Sequence, residues 1–171
     1  MATDFQTCYN WTMGFEDRER KYEAVPDPGG SAISGINSHY WPAEYASIAA
    51  IPQAQRGPAV ENFYLCKMWK PIIAQLNDVE IGKRYFDSIV NLGDEEATLL
   101  LQRAIVALGY SETGTVRVDG VIGPLTVAAA NEAIPDRLVT MFKELRAAHY
   151  LENKARLPQS VVNELVARAR A

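Results

Sequence analysis

A dense run of charged side chains near the start of the chain is the first place where chemistry could occur. The run reads Phe15-Glu16-Asp17-Arg18-Glu19-Arg20-Lys21-Tyr22-Glu23. Such runs usually form a solvated helix face. Glu16 differs because it follows an apolar stripe and Phe15, and a partly desolvated carboxyl keeps its proton more readily, as a general acid must. Glu16 is therefore the candidate acid.

Two elements must position this carboxyl. Apolar or small residues before it recur at spacings of three and four, which predicts one buried helix face and puts Glu16 in or just after the last turn: Phe5, Cys8, Tyr9, Thr12 and Met13. The segment 25–36 is dense in turn formers with short apolar alternation, which predicts a loop or a small β-hairpin that contains Asp27.

The rest of the chain has helical patterns with recognisable starts and stops. Helices are expected to begin at Pro58, near Val79, at a capping Asp94, at Gly123-Pro124, at Pro135 and at Pro158, and Gly109 is expected to end one of them. These helices, together with one hairpin, predict a mostly α (α+β) fold. A weak boundary near residues 91–95 separates a front part rich in aromatics from a helical rear part.

Composition excludes several classes of protein. The 171 residues are 48% hydrophobic and 22% charged, typical of a folded globular protein. With 17 Lys and Arg against 21 Asp and Glu, the net charge of −4 argues against nucleic-acid binding. No apolar run approaches the roughly 18 to 20 residues of a membrane span, and neither a signal peptide nor an anchor is visible at the start.

Cofactors and cross-links are not expected. No Cys or His cluster has the ligand spacing of a zinc site, so neither a metal nor another cofactor is predicted. Cys8 and Cys66 have apolar neighbours that favour buried free thiols, with a disulfide between them as the alternative. A monomer is expected.

Several ordered motifs resemble glycoside hydrolase family 108. Glu16 followed by Asp27-Pro28-Gly29-Gly30, Ser31 and Gly35-Ile36 is similar to the family's entry motif. The stretches 86–93 and 100–104 agree in order, and Asp119-Gly120-Val121-Ile122-Gly123-Pro124-Leu125-Thr126 with Asn131 resembles its C-terminal element. The resemblance spans roughly Thr12 to Asn131, and the shared order is more specific than any one motif.

The resemblance implies a lysozyme-like N-acetylmuramidase, similar to a phage endolysin, that acts on peptidoglycan glycan strands. It implies a catalytic part at 1–92 and a helical peptidoglycan-binding part at 93–171, packed into one body. The chain departs from the family where Asp17 and Arg18 replace two glycines and the gap to Asp27 is two residues longer. This departure leaves Glu19 and Glu23 as rival acids. A second departure is the absence of the family's Gly-Trp pair near the last helix.

The mechanism that follows needs a proton donor and a second group across the sugar. Glu16 is predicted to donate the proton, and Asp27 is the candidate second carboxylate, unless it only organises its own turn. Tyr40, Trp41 and Asn91 are predicted sugar contacts, each with an ordinary structural role as the alternative. Trp69, by contrast, is expected in the core.

Two other functions fit the same residues. A lytic transglycosylase also uses a glutamate as acid and base but closes the sugar on itself, and a non-catalytic wall-binding or secretion-assisting protein would keep the fold without the activity. For the enzyme, synthesis in the cytoplasm and release to the wall through a phage-type pore are expected.

Overall fold

The computed structural model describes residues 3–27, 29–110, 116–153 and 157–171. These residues form a mostly helical α+β protein, as the sequence predicts, with eight α-helices and one three-stranded antiparallel sheet. The chain divides into two compact units, a first unit of Phe5–Trp69 and a second unit of Lys70–Ala171 with Thr3 and Asp4. The helices of the second unit thus include part of the predicted catalytic region, and the predicted functional division after residue 92 stays a prediction.

The first unit begins with the predicted helix. Its elements are α1 (Phe5–Glu16), β1 (Ala24–Asp27), β2 (Gly30–Ile33), β3 (Ile36–Asn37), α2 (Pro42–Ala49), a short 3-10 turn (Gln53–Gln55), α3 (Gly57–Phe63) and a π-helical turn (Tyr64–Met68). Helix α1 buries Cys8, Tyr9, Thr12 and Met13 on the predicted face and ends at Glu16.

The small sheet settles the choice between loop and hairpin. Strand β1 pairs with β2 from Ala24 opposite Ile33 to Asp27 opposite Gly30, and β2 pairs with β3. Only Ser34 and Gly35 connect β2 to β3, and both have positive φ, 49° and 81°. This is the geometry of the two-residue hairpin turns that match strand twist, and Gly35 adopts it without the steric cost that a side chain would bring. Pro28 of the entry motif lies outside the described residues.

Two features of the first unit differ from the sequence predictions. Helix α2 was not predicted, because its eight residues give too short a pattern to show a face. Both cysteines are free, but only Cys8 is buried, so the predicted burial of Cys66 is wrong. Cys66 lies in the π-helical turn, whose wider spacing buries Tyr64 and leaves Cys66 exposed.

The second unit is helical throughout. Its elements are a 3-10 turn (Pro71–Gln75), α4 (Val79–Leu92), α5 (Asp94–Ala107), α6 (Pro124–Glu132), α7 (Pro135–Glu152) and α8 (Gln159–Arg170). Asp78 accepts from the backbone N–H of Ile81 and caps α4. Asp94, predicted as a cap, is instead the first residue of α5, since Gly93 with φ 84° occupies the cap position.

One buried amide explains why two of the sequence motifs occur together. Gln102 on α5 is buried, and its side-chain oxygen accepts from the backbone N–H groups of Asp119 and Gly120 at 2.9 and 3.0 Å. Its nitrogen donates to the Asp119 carboxylate at 2.9 Å and to the Val121 carbonyl at 3.1 Å. Gln102 therefore fixes the loop that leads into α6.

The described residues contain neither a membrane-spanning helix nor a cluster of metal-binding side chains. None of their helices is both long enough and apolar enough to cross a bilayer. No three acidic, histidine or cysteine side chains among them gather where they could hold a metal ion.

Candidate active site at the end of helix α1

The Glu16 carboxyl lies against the turn between β2 and β3. Glu16 is half-buried at the last position of α1, and its carboxylate occupies the side of Gly35 on which a Cβ atom would project. A Cβ atom there would lie 2.8 Å from the carboxyl carbon of Glu16 and 2.8 Å from the hydroxyl oxygen of Tyr64. The missing side chain of Gly35 thus makes room for the candidate acid.

The turn itself is held from two sides. The Tyr64 hydroxyl, buried in the first unit, donates to the Ser34 carbonyl at 2.7 Å. The Ser34 hydroxyl donates to the Asp17 carboxylate, also at 2.7 Å. A non-glycine residue such as Ser34 in the left-handed region costs about 1 kcal/mol or more, which surrounding contacts must offset. The two hydrogen bonds supply such contacts.

Asp17 organises the loop after α1 rather than facing a substrate. Its carboxylate accepts from the backbone N–H groups of Lys21 at 3.0 Å and Tyr22 at 2.8 Å, besides the Ser34 hydroxyl. Burial alone would raise the pKa of this carboxyl, but these hydrogen bonds and the nearby charge of Arg20 together hold the pKa below its usual value. Asp17 is therefore a charged group that holds the loop after α1.

The loop after α1 makes two sharp turns and is held at both ends. Arg20 and Tyr22 adopt positive φ values of 54° and 52°, so two non-glycine residues make the sharp turns here. Arg20 donates to the Asn10 side chain at 2.8 Å, and Arg56 donates to the Tyr22 carbonyl at 2.8 Å. The longer loop is thus fastened to α1 at one point and near the start of α3 at another.

The rival acids lie on this loop in exposed positions. Glu19 forms an ion pair with Lys21, with an N–O distance of 2.5 Å and most of both side chains in solvent. Glu23 is also exposed. Both side chains are thus more exposed than that of Glu16, and the choice of Glu16 as the acid stays a prediction.

The structure does not bring Asp27 to Glu16. Asp27 lies opposite Gly30 at the start of β2, whereas Glu16 contacts the turn that follows the end of this strand. At about 3.3 Å per residue the two ends of β2 are roughly 10 Å apart. The Asp27 carboxylate accepts a short hydrogen bond from the Asn37 side chain, and this bond joins β1 to β3. This contact gives Asp27 a structural role in the sheet, and its role as the second carboxylate stays a prediction.

Two predicted sugar contacts, Tyr40 and Trp41, lie between β3 and α2. Tyr40 is 74% exposed, with His39 edge-on to its ring. Trp41 immediately precedes α2, is half-buried and packs edge to face on Phe63 at 5.1 Å between ring centres. Both keep some surface available to a ligand, Tyr40 more than Trp41.

Asn91 belongs to the second unit. It lies near the end of α4, and its side-chain amide donates to the Asp87 carbonyl at 2.9 Å. This contact lies within the helix, so a role in sugar binding stays a prediction.

Trp69, expected in the core, is half-buried and packs edge to face on Phe5.

Sequence reasoning missed two features of the site. Trp11 and Phe15 pack edge to face at 4.9 Å on α1, and Phe15 is 40% exposed one residue before Glu16. Their spacing of four residues is a signal for such a pair on a helix surface. Nothing in the sequence near Tyr64 signals its contact with a turn 30 residues away.

The comparisons with known proteins bear on the fold. No family model matches the sequence, and no curated protein does. The chain is similar to the solved structure of SagA from Brucella abortus, with a TM-score of 0.61 and 22% sequence identity over 96% of this chain and 92% of that one. At this identity the likeness shows a shared fold over nearly the full length of both chains.

Proposed function

We propose that this protein is a peptidoglycan hydrolase of the N-acetylmuramidase type, with Glu16 as its general acid. The observation that carries the proposal is the half-buried Glu16 carboxyl at the end of α1, against the glycine of a hairpin turn. The ordered motifs that resemble glycoside hydrolase family 108 support the same function, and membership of that family is part of the proposal.

In this mechanism Glu16 protonates the oxygen that leaves as the glycosidic bond breaks. The bond passes through an oxocarbenium-like state, so protonation must coincide with the approach of water or another group to the anomeric carbon. The Ser34–Gly35 turn limits where the carboxyl can lie, because backbone fills the space on that side. A fixed acid loses less entropy on reaching the reactive geometry.

The substrate of the proposed reaction is an anionic polymer, and the protein carries a net charge of −4. Bulk attraction therefore contributes little to binding, and shaped contacts must supply it. The exposed ring of Tyr40 and the partly exposed ring of Trp41 are the proposed sugar platforms.

Wall binding by residues 93–171 is a separate part of the proposal. The second unit has an open cavity of about 480 Å³ beside the loop that Gln102 fixes, lined by Arg117, Asp119, Val121 and Leu125 among others. Both charges and exposed apolar side chains are present there, which suits a ligand with peptide and sugar portions. Release to the wall through a phage-type pore also stays a proposal.

A lytic transglycosylase is the second candidate, and one observation favours it. Asp27 lies at the far end of β2, and Asp17 accepts three hydrogen bonds from the protein itself. A reaction in which one glutamate acts first as acid and then as base needs neither of these as a second carboxylate.

Mass spectrometry of the fragments released from purified walls distinguishes these functions. We expect N-acetylmuramic acid at each new reducing end, with one water added per bond cleaved. Anhydro products, lighter by one water, would identify the transglycosylase. N-acetylglucosamine at the reducing end would contradict both, and protein that sediments with walls without releasing fragments would identify a non-catalytic wall-binding protein.

A further inference from the structure

The buried hydroxyl of Tyr64 makes a hydrogen bond that bears on the acid. Tyr64 is 1% exposed, and its ring packs against those of Tyr9 and Phe63, each at 5.5 Å between ring centres. Its hydroxyl donates to the Ser34 carbonyl at 2.7 Å. The phenol is thus immobilised by its ring and extends one polar group to the hairpin turn.

This turn is a strained segment that needs such support. Ser34 adopts a φ of 49°, which L-residues with a side chain rarely adopt, and Gly35 follows with 81°. Its other tether, the bond from the Ser34 hydroxyl to Asp17, acts on the side chain, whereas Tyr64 acts on the backbone. Of these two bonds, the one from Tyr64 is therefore the direct restraint on the peptide that precedes Gly35.

The bare side of Gly35 is where the phenol and the acid meet. The Glu16 carboxyl and the Tyr64 hydroxyl both border the volume that a Gly35 side chain would fill. The location of the turn therefore limits where the Glu16 carboxyl can lie beside Gly35. A shift of the turn would move the Glu16 carboxyl or free its rotamer.

We infer that Tyr64 is a positioning residue for Glu16, which acts by holding the Ser34–Gly35 turn against the acid. The inference rests on the proposed function, because it concerns the same carboxyl. Tyr64 need not touch substrate. Its loss should lower the rate of the chemical step and leave substrate affinity nearly unchanged, since misplacing a catalytic group by a fraction of an ångström reduces rate steeply.

The test compares Tyr64→Phe with Tyr85→Phe. Tyr85 is likewise buried and shares a hydrogen bond of 2.8 Å with Thr98, but it lies on α4 in the second unit. Each substitution removes one buried hydroxyl and keeps the ring, so the general cost to stability is matched. On soluble uncross-linked glycan strands, we expect Tyr64→Phe to lower kcat by about tenfold or more with KM within about twofold, and Tyr85→Phe to leave both near wild type.

Equal kcat in the two variants, or a loss confined to KM, would overturn the inference while the proposed function stands. A wild-type protein that cleaves no strands would instead overturn both. Gly35→Ala provides a second route should Tyr64→Phe fold poorly, because its methyl group would clash with both the Glu16 carboxyl and the Tyr64 hydroxyl and so disturb the contact on which the inference depends. We expect the same fall in kcat for it, and wild-type kcat in Gly35→Ala would contradict the inference.

Discussion

Replacing Glu16 with glutamine should abolish wall clearing and leave the thermal unfolding midpoint nearly unchanged. Glutamine has almost the same shape as glutamate, but it has no acidic proton to transfer. General acid catalysis contributes typically about 10²- to 10⁴-fold, so the clearing rate should fall by at least about a hundredfold. The measurement is turbidity loss of a wall suspension, with the melting curve of each variant beside it.

Glu19→Gln and Glu23→Gln are the matched controls for this substitution. Both remove one carboxylate from the same loop region, where the side chains are exposed. The overall charge changes equally in all three variants, so an effect of charge on wall binding would appear in each. Clearing that survives in Glu16→Gln but fails in either control would move the acid along the chain.

Replacing Asp87 with alanine should destabilise the second unit more than any surface substitution. Asp87 on α4 is fully buried and accepts from Arg146 on α7 and Arg168 on α8, each at 2.6 Å. Its carboxylate thus connects α4 to α7 and α8 in one cluster of ion pairs. Alanine would leave two arginines close together, of which Arg146 is buried, without their counter-charge. Removing one member of a buried ion pair costs about 3 to 5 kcal/mol.

The control for this variant is Glu144→Ala. Glu144 also pairs with an arginine across α7 and α8, but at 3.5 Å with more than half of each side chain exposed. Exposed pairs contribute about 0 to 1 kcal/mol because solvent screens them. Urea unfolding measures the free energy of unfolding of each variant. Losses of similar size for Asp87→Ala and Glu144→Ala would show that the buried cluster adds no more than a surface pair.

The sequence predicts best those parts of the site that depend on near neighbours in the chain. The face of α1 follows from residues spaced three and four apart, and its end at Glu16 follows from the turn formers beyond it. The turn formers and short apolar alternation of residues 25–36 predict a loop or a small hairpin, and the structure has the hairpin. These patterns depend on local backbone preference and on the spacing of apolar residues, and neither requires knowledge of the tertiary contacts.

The tertiary contacts of the same residues could not be predicted. Tyr64 reaches Ser34 over 30 residues, and a tyrosine on a helix stripe gives no sign of which carbonyl it will meet. The role of Asp27 depends on Asn37, which lies across the sheet, so its turn sequence alone left two roles open. Asp87 lies in the stretch 86–93 that the sequence analysis noted. Its two arginine partners lie 59 and 81 residues further along the chain, so the sequence does not show that they meet.

The altered entry motif illustrates a limit of motif matching. Asp17 and Arg18 stand where the family pattern has two glycines, which puts the active site in doubt at the level of sequence. In the structure the Asp17 carboxylate accepts hydrogen bonds from Lys21, Tyr22 and Ser34. Asp17 thus holds the loop next to Glu16, a role that the motif comparison alone does not show.

The most direct test is the crystal structure of the Glu16→Gln variant with an uncleaved glycan oligomer bound. The quantity to measure is the distance from the side-chain amide of residue 16 to the nearest glycosidic oxygen. A distance of about 2.6 to 3.2 Å to the oxygen on C1 of an N-acetylmuramic acid residue is predicted, because proton transfer requires hydrogen-bond reach. An oligomer bound elsewhere, with every glycosidic oxygen beyond the reach of residue 16, would contradict Glu16 as the acid.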